Sequence, residues 1–159
     1  MYDHRIAAAD KPTMYRDLAA ALEALVAGEP DGVANMANAA ALIFETLPDV
    51  NWAGFYRNVG GELVLGPFQG RAACIRIPFG QGVCGAAAAT RQVQRVEDVH
   101  AFPGHIACDS ASNSEIVVPL VRDGELLGVL DIDSPNTGRF DAEDEAGCVR
   151  LGEILSRAI

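Results

Sequence analysis

Positive charge is scarce in this sequence. Its 159 residues set 12 lysines and arginines against 22 aspartates and glutamates, for a formal net charge of -10, and Lys11 is the single lysine. A surface this negative repels phosphates, which argues against nucleic acid as a partner. Long apolar runs are also lacking. No stretch approaches the roughly 18 consecutive apolar residues that a membrane-spanning helix requires, and the start, Met1-Tyr2-Asp3-His4-Arg5, has no extended apolar segment of the secretory kind. These absences predict a cytoplasmic protein that does not enter the membrane. The phosphate-binding loop and the dinucleotide fingerprint are missing as well: Gly80-Gln81-Gly82-Val83-Cys84-Gly85 is rich in glycine, but no lysine follows it.

Cysteine is sparse and widely spaced. Cys74, Cys84, Cys108 and Cys148 form none of the tight Cys-x-x-Cys pairs of structural zinc sites, and the nearest mixed pair is His105 with Cys108. A permanent disulfide framework does not suit a reducing compartment. Catalysis, redox sensing, metal binding and plain burial therefore stay open for these thiols.

What is present is an ordinary core. Half of the residues are hydrophobic, and a chain of this length fits one domain at about 100 to 200 residues per domain. The pattern predicts a domain over 14–159 behind an N-terminal extension over 1–13. Met14, Leu18, Leu22, Leu25 and Val26 recur at helical spacing up to Gly28, and Val33, Met36, Ala40, Ile43, Phe44 and Leu47 do so before Pro48, giving two helices. Short strands follow at Val50–Tyr56, Leu63–Leu65 after a Gly60-Gly61 turn, and Ala73–Ile77. Gly80 to Thr90 combines turn glycines with an alanine run, so a short helix is expected from Val83. Val93–Val96 reads as a strand, and 97–114 as a long irregular loop of the kind that usually carries function. Glu115–Val121 and Glu125–Asp133 read as a hairpin across Arg122-Asp123-Gly124, and Asp141 caps a last helix. The order predicts an α+β domain with a largely antiparallel six-stranded sheet flanked by helices.

Cys148 falls on the apolar stripe of the last helix and is assigned to the core. Cys74 lies in a strand, Cys84 at a helix start whose partial positive charge favours a thiolate, and Cys108 in the polar loop. Three inert thiols are the bland alternative; a nucleophile with resolving partners is the functional one. Period-two alternation puts Leu127, Val129, Asp131 and Asp133 on one strand face and Leu126, Leu130 and Ile132 on the other. Glu115 on the neighbouring strand could join the two aspartates in a polar pocket, and Trp52 and Tyr56 share a strand face as candidate walls.

Asn51-Trp52-Ala53-Gly54-Phe55-Tyr56, the block from Cys74 to Gly85, Cys108 with Glu115, and Leu130-Asp131-Ile132-Asp133-Ser134 together resemble the free methionine-(R)-sulfoxide reductases, a family of single GAF domain enzymes. The resemblance runs from about Met14 to the C-terminus. It implies reduction of free L-methionine-(R)-S-oxide with thioredoxin as external reductant, no bound cofactor or metal, and a homodimer. By motif position it implies Cys108 as nucleophile, Cys74 as principal resolving cysteine and Cys84 as a further pocket cysteine. Glu115, Asp131 and Asp133 match acids that hold the substrate, with Glu115 or Asp133 as proton donor, and Trp52 and Tyr56 match the pocket walls. The competing reading is a non-catalytic GAF sensor for a small ligand such as a cyclic nucleotide. Sensors of that kind are normally joined to an output domain, for which this chain has no room.

Overall fold

A computed structural model describes Ile6, residues 10–106, Cys108 and residues 110–159; residues 1–5 and 7–9, most of the expected extension, lie outside the described residues. Helix α1 spans Lys11–Val26, with Asp10 accepting from the Thr13 amide at its head. The folded chain thus takes in residues 11–13. Met14, Leu18 and Leu22 are buried as their spacing predicts, and Tyr15 and Ala19 join them. Helix α2, Gly32–Thr46, starts from an Asp31 cap and stops ahead of Pro48. Its buried face centres on Met36, Ala39 and Ile43. Val33, expected on that stripe, is 60% exposed. It lies at the margin of the face, and the first turn is anchored instead by Asn35, whose Nδ2 donates to the Ala158 carbonyl at 2.7 Å.

Six strands follow in one sheet: β1 Trp52–Val59, β2 Glu62–Gly70, β3 Arg76–Pro78, β4 Gln94–Val96, β5 Ser114–Arg122 and β6 Glu125–Ser134. The spatial order is β3-β2-β1-β6-β5-β4 with every neighbouring pair antiparallel, as the hairpin pattern predicts. Both tight hairpins use two residues of positive φ, Gly60-Gly61 and Asp123-Gly124, which matches the twist of the strands they join. β2 runs well past Leu65, because Gly66-Pro67 forms a bulge opposite β1 rather than a turn. A short 3₁₀ turn, Val99–Ala101, interrupts the long loop. Helix α3, Gly82–Thr90, and helix α4, Ala142–Ala158, complete the fold.

The sheet separates two apolar clusters. One face carries Ala53, Phe55, Ile116, Val118, Leu130 and Ile132 against α1, α2 and α4, and Cys148 is fully buried there as expected. The other carries Trp52, Tyr56, Val117 and Val129 under α3 and the loop. Two expectations need correction. Leu126 packs in the second cluster with Val129, and Leu127 packs against the first, the reverse of simple alternation. β5 pairs Leu120 with Gly128 and Val121 with Leu126, so Leu127 is the extra residue of a β-bulge, and parity inverts across it. Cys74, expected inside a strand, precedes β3 in the irregular segment between β2 and β3; its carbonyl accepts from the Tyr56 hydroxyl at 3.0 Å instead of joining a ladder.

Candidate active site

Three neighbouring strands aim polar side chains at the α3 side of the sheet. Register sets Glu115 of β5 directly opposite Asp133 of β6, and Asp131 opposite Gly54 of β1. Like charges in a cross-strand pair repel, so one of these carboxyls is driven towards its neutral form. At Gly54 a side chain would run into the Phe68 Cβ, and the missing side chain lets Phe68 lie over the strand and stack on Trp52, with ring centroids 5.1 Å apart. Trp52 stacks on Tyr56 in turn at 5.9 Å and donates from Nε1 to the Arg71 carbonyl at 3.0 Å. Tyr56 borders the cavity; Trp52, also expected as a wall, lies behind it as backing.

The glycine block delivers the helix that closes this floor. Gly82 opens α3 with φ +64, a conformation other residues rarely adopt, and its amide donates to the Gly104 carbonyl at 3.2 Å, tying the long loop to the helix start. Gln81 precedes the helix without capping it by a side chain. The first-turn amides of a helix have no partners within it and favour an anion. Two residues on, Cys84 points down at the sheet, and its Sγ donates to Glu115 Oε1 at 3.7 Å.

Burial raises the Cys84 thiol well above its usual range, and Asp131 and Glu115 push the same way. The expectation of a thiolate favoured by the helix start is therefore corrected. A fully desolvated position beside two carboxyls outweighs the partial charge of one helix terminus. Burial, then the charge of Asp133, pushes Glu115 up to about 8. Asp131 is raised by burial and by Glu115, and its Oδ1 is buried without a hydrogen-bond partner among the described residues. Asp133 is held by the Ser112 hydroxyl, which donates to Oδ2 at 3.0 Å, while Asn51 Nδ2 donates to Ser112 at 3.2 Å.

Cys108, from the loop, borders the same cavity and is disulfide-bonded to Cys74 across 34 residues, with Cα atoms 5.3 Å apart. The cavity among Tyr56, Cys84, Cys108, Glu115, Asp131 and Asp133 measures about 30 Å³. All three cysteines suspected of chemistry and all three acids thus converge. Ser112 was not foreseen: it sits in the polar loop, where nothing in the residue pattern marks one serine above another. Donor atoms of Cys84, Glu115 and Asp131 lie within 4.8 Å of one another, close enough to meet around a single cation, metal or ammonium. A phosphate-bearing ligand would face three acids with His105 as the one basic side chain among the described lining residues, which disfavours a cyclic-nucleotide sensor.

The GAF domain family model matches residues 30–159. The free methionine-R-sulfoxide reductase of Escherichia coli is 56% identical over 150 residues, covering 94% of this chain and 91% of that protein. That of Saccharomyces cerevisiae is 43% identical over 157 residues, covering 94% and 87%. Among solved structures, free methionine-R-sulfoxide reductase from Neisseria meningitidis in complex with its substrate superposes with a TM-score of 0.95 at 48% identity, covering 99% of this chain and 95% of that one.

Proposed function

The chain belongs to the GAF domain family, among its free methionine-R-sulfoxide reductases, and from this premise we propose that it reduces free L-methionine-(R)-S-oxide to L-methionine by thiol chemistry at the Cys108 site. The observation that carries the reading is a Cys74–Cys108 disulfide bordering a cavity whose buried acid, Glu115, is pushed up to about 8 by burial and by Asp133. That shift keeps the acid in its protonated form at neutral pH, and reduction of the disulfide frees the Cys108 thiol at the same cavity.

In this scheme the Cys108 thiolate attacks the sulfoxide sulfur, and Glu115 gives its proton to the oxygen. Methionine departs as the oxygen passes to sulfur, leaving Cys108 as a sulfenic acid. The Cys74 thiol displaces that oxygen as water, forming the disulfide. Cys84 is the further pocket thiol. Asp131, with its unsatisfied oxygen, and Asp133 receive the substrate ammonium, and the uncapped start of α3 receives its carboxylate. Tyr56, backed by Trp52, walls the methyl thioether. Both charged ends of the amino acid are engaged, so a methionine within a peptide is rejected.

Ligand sites usually measure about 300–1,000 Å³, so the disulfide-bonded state is closed, and the loop segment bearing His105, Ile106 and Cys108 withdraws to admit substrate. Thioredoxin supplies the electrons, no cofactor stays bound, and the cytoplasm keeps the thiols reduced. The family resemblance extends the proposal to a homodimer. Among the described residues no helix is long and apolar enough to cross a membrane.

Incubating the protein with each sulfoxide epimer and dithiothreitol, and following methionine by chromatography, tests the reading; turnover confined to the R epimer is expected, and its absence refutes it. The pH profile tests the proton donor. Because Glu115 is raised to about 8, its acid form is present below that pH and lost above it, so turnover declines as pH rises through about 8. Glu115→Gln, which cannot give the proton away, should cost about 10²-fold and erase that limb. An upper limb that persists in the variant would move the donor's role to Asp133.

A further inference from the structure

The two sulfurs of the disulfide do not face the same surroundings. Cys108 borders the cavity; Cys74 does not, and it lies instead on the segment Arg71-Ala72-Ala73-Cys74-Ile75-Arg76 that leads into β3, one of the two edge strands of the sheet. Ile75 is 69% exposed. The other large exposed apolar residues among the described ones, Val33, Val59 and Val121, sit on the first turn of α2 and at hairpin ends, none of them next to a cysteine. Ile75 thus sets a large apolar side chain in solvent immediately beside a cysteine of the disulfide, where a protein reductant could rest on it and a small thiol would not need it.

Charge makes the same distinction. The whole chain carries -10, yet this segment holds two exposed arginines and no acid; Arg76 meets Glu62 at 3.3 Å in a solvent-facing pair. The segment itself therefore does not add to the chain's negative charge, and it repels an acidic partner less than the rest of the molecule does. Segment 72–75 is also half-exposed, and it bends at Ile75 into an edge strand that has β2 on one side alone. The free side of an edge strand is open to main-chain pairing by a partner.

Resting on the thiol-reductase reading above, we infer that Arg71–Arg76 is the docking surface for a dithiol protein reductant with an acidic or neutral rim, and that the reductant attacks Cys74 Sγ rather than Cys108 Sγ. Its thiolate forms a bond to Cys74 as the Cys74–Cys108 bond breaks, and Cys108 departs as a thiolate into the cavity. The reductant's second thiol then attacks its own mixed-disulfide sulfur, freeing the Cys74 thiol. Two electrons pass to the enzyme, and the reductant leaves as a disulfide. Cys108 is thereby set free on the side from which substrate arrives, in the form that attacks it.

Two measurements test this. The disulfide-bonded protein is mixed with a thioredoxin whose second active-site cysteine is replaced by serine, released thiols are alkylated, and the adduct is mapped by peptide mass spectrometry. Attachment at Cys74 with alkylation of Cys108 is expected; attachment at Cys108 overturns the proposal, and this readout needs no methionine sulfoxide turnover. In the second, Ile75→Glu is expected to slow thioredoxin-driven turnover by about tenfold or more while dithiothreitol-driven turnover stays within about twofold. An equal loss with both reductants, or no loss with either, overturns the docking surface. A parent protein inactive with dithiothreitol itself would instead refute the enzymatic reading, leaving the adduct map to decide the docking.

Discussion

Cys108→Ser should yield a folded protein that reduces free methionine-(R)-sulfoxide at least about 10³-fold more slowly than the parent, because a serine hydroxyl is almost wholly un-ionised at neutral pH and is a poor nucleophile towards sulfur. Neither remaining thiol on this side of the sheet can take over. Cys84 is buried beneath α3 with its thiol raised well above the usual range, hydrogen-bonded to Glu115. Cys74 does not border the cavity. The fold should survive, since Cys108 belongs to the loop and not to a strand or helix. Circular dichroism and chromatographic detection of methionine check the two halves of the prediction. Turnover within tenfold of the parent would remove Cys108 from the chemistry.

The second large effect lies on the opposite face of the sheet. Asp144, fully buried at the start of α4, accepts from Lys11 Nζ at 2.6 Å, Tyr15 Oη at 2.7 Å, Arg139 Nη1 at 3.1 Å and the Asp141 amide at 2.9 Å. It thereby joins the head of α1 to the head of α4 and completes the capping box with Asp141. Asp144→Ala leaves Arg139, whose side chain is 8% exposed, without its buried counter-charge and the Tyr15 hydroxyl without an acceptor. Breaking a buried ion pair from one side costs about 3–5 kcal/mol. For a domain of this size that lowers the melting temperature by roughly 6–20 °C. Lys11→Ala removes a partner that is a third exposed and should cost about 1 kcal/mol or less. A melting temperature for Asp144→Ala within about 2 °C of the parent contradicts the account.

The contrast between these two sites explains what could be read from the residues alone. Helices α1, α2 and α4 were legible because each needs only a periodic stripe and a cap. Asp131 and Asp133 could be placed on one face because parity holds between them, and Trp52 and Tyr56 likewise. Local alternation puts Leu126 and Leu127 on the wrong faces because a bulge depends on the partner strand, which alternation does not contain. The ionisation of Cys84 escapes a local reading for a similar reason. A helix start is visible locally, whereas the burial that raises the thiol is a product of the whole fold, and the two carboxyls that add to it come from strands 31 and 47 residues further along the chain. The apolar neighbours of Cys74 read as a strand, while its actual course follows a bond to Cys108 and a hydrogen bond from Tyr56. Ser112 had no local signature, since its role exists only where Asp133 and Asn51 meet it.

The hairpin that joins β5 to β6 works as a ruler for the acids. Its two-residue turn, Asp123-Gly124, and the single supernumerary residue, Leu127, together determine that Glu115 stands across from Asp133 at the far end of the ladder. Deleting Leu127, or lengthening the turn by one residue, alters no group near the cavity, yet either change can offset the count by one and swing a whole set of side chains through the sheet. The spacing of the pocket acids is thus encoded at the opposite end of the ladder, where a change in chain length can disarm the pocket without touching it.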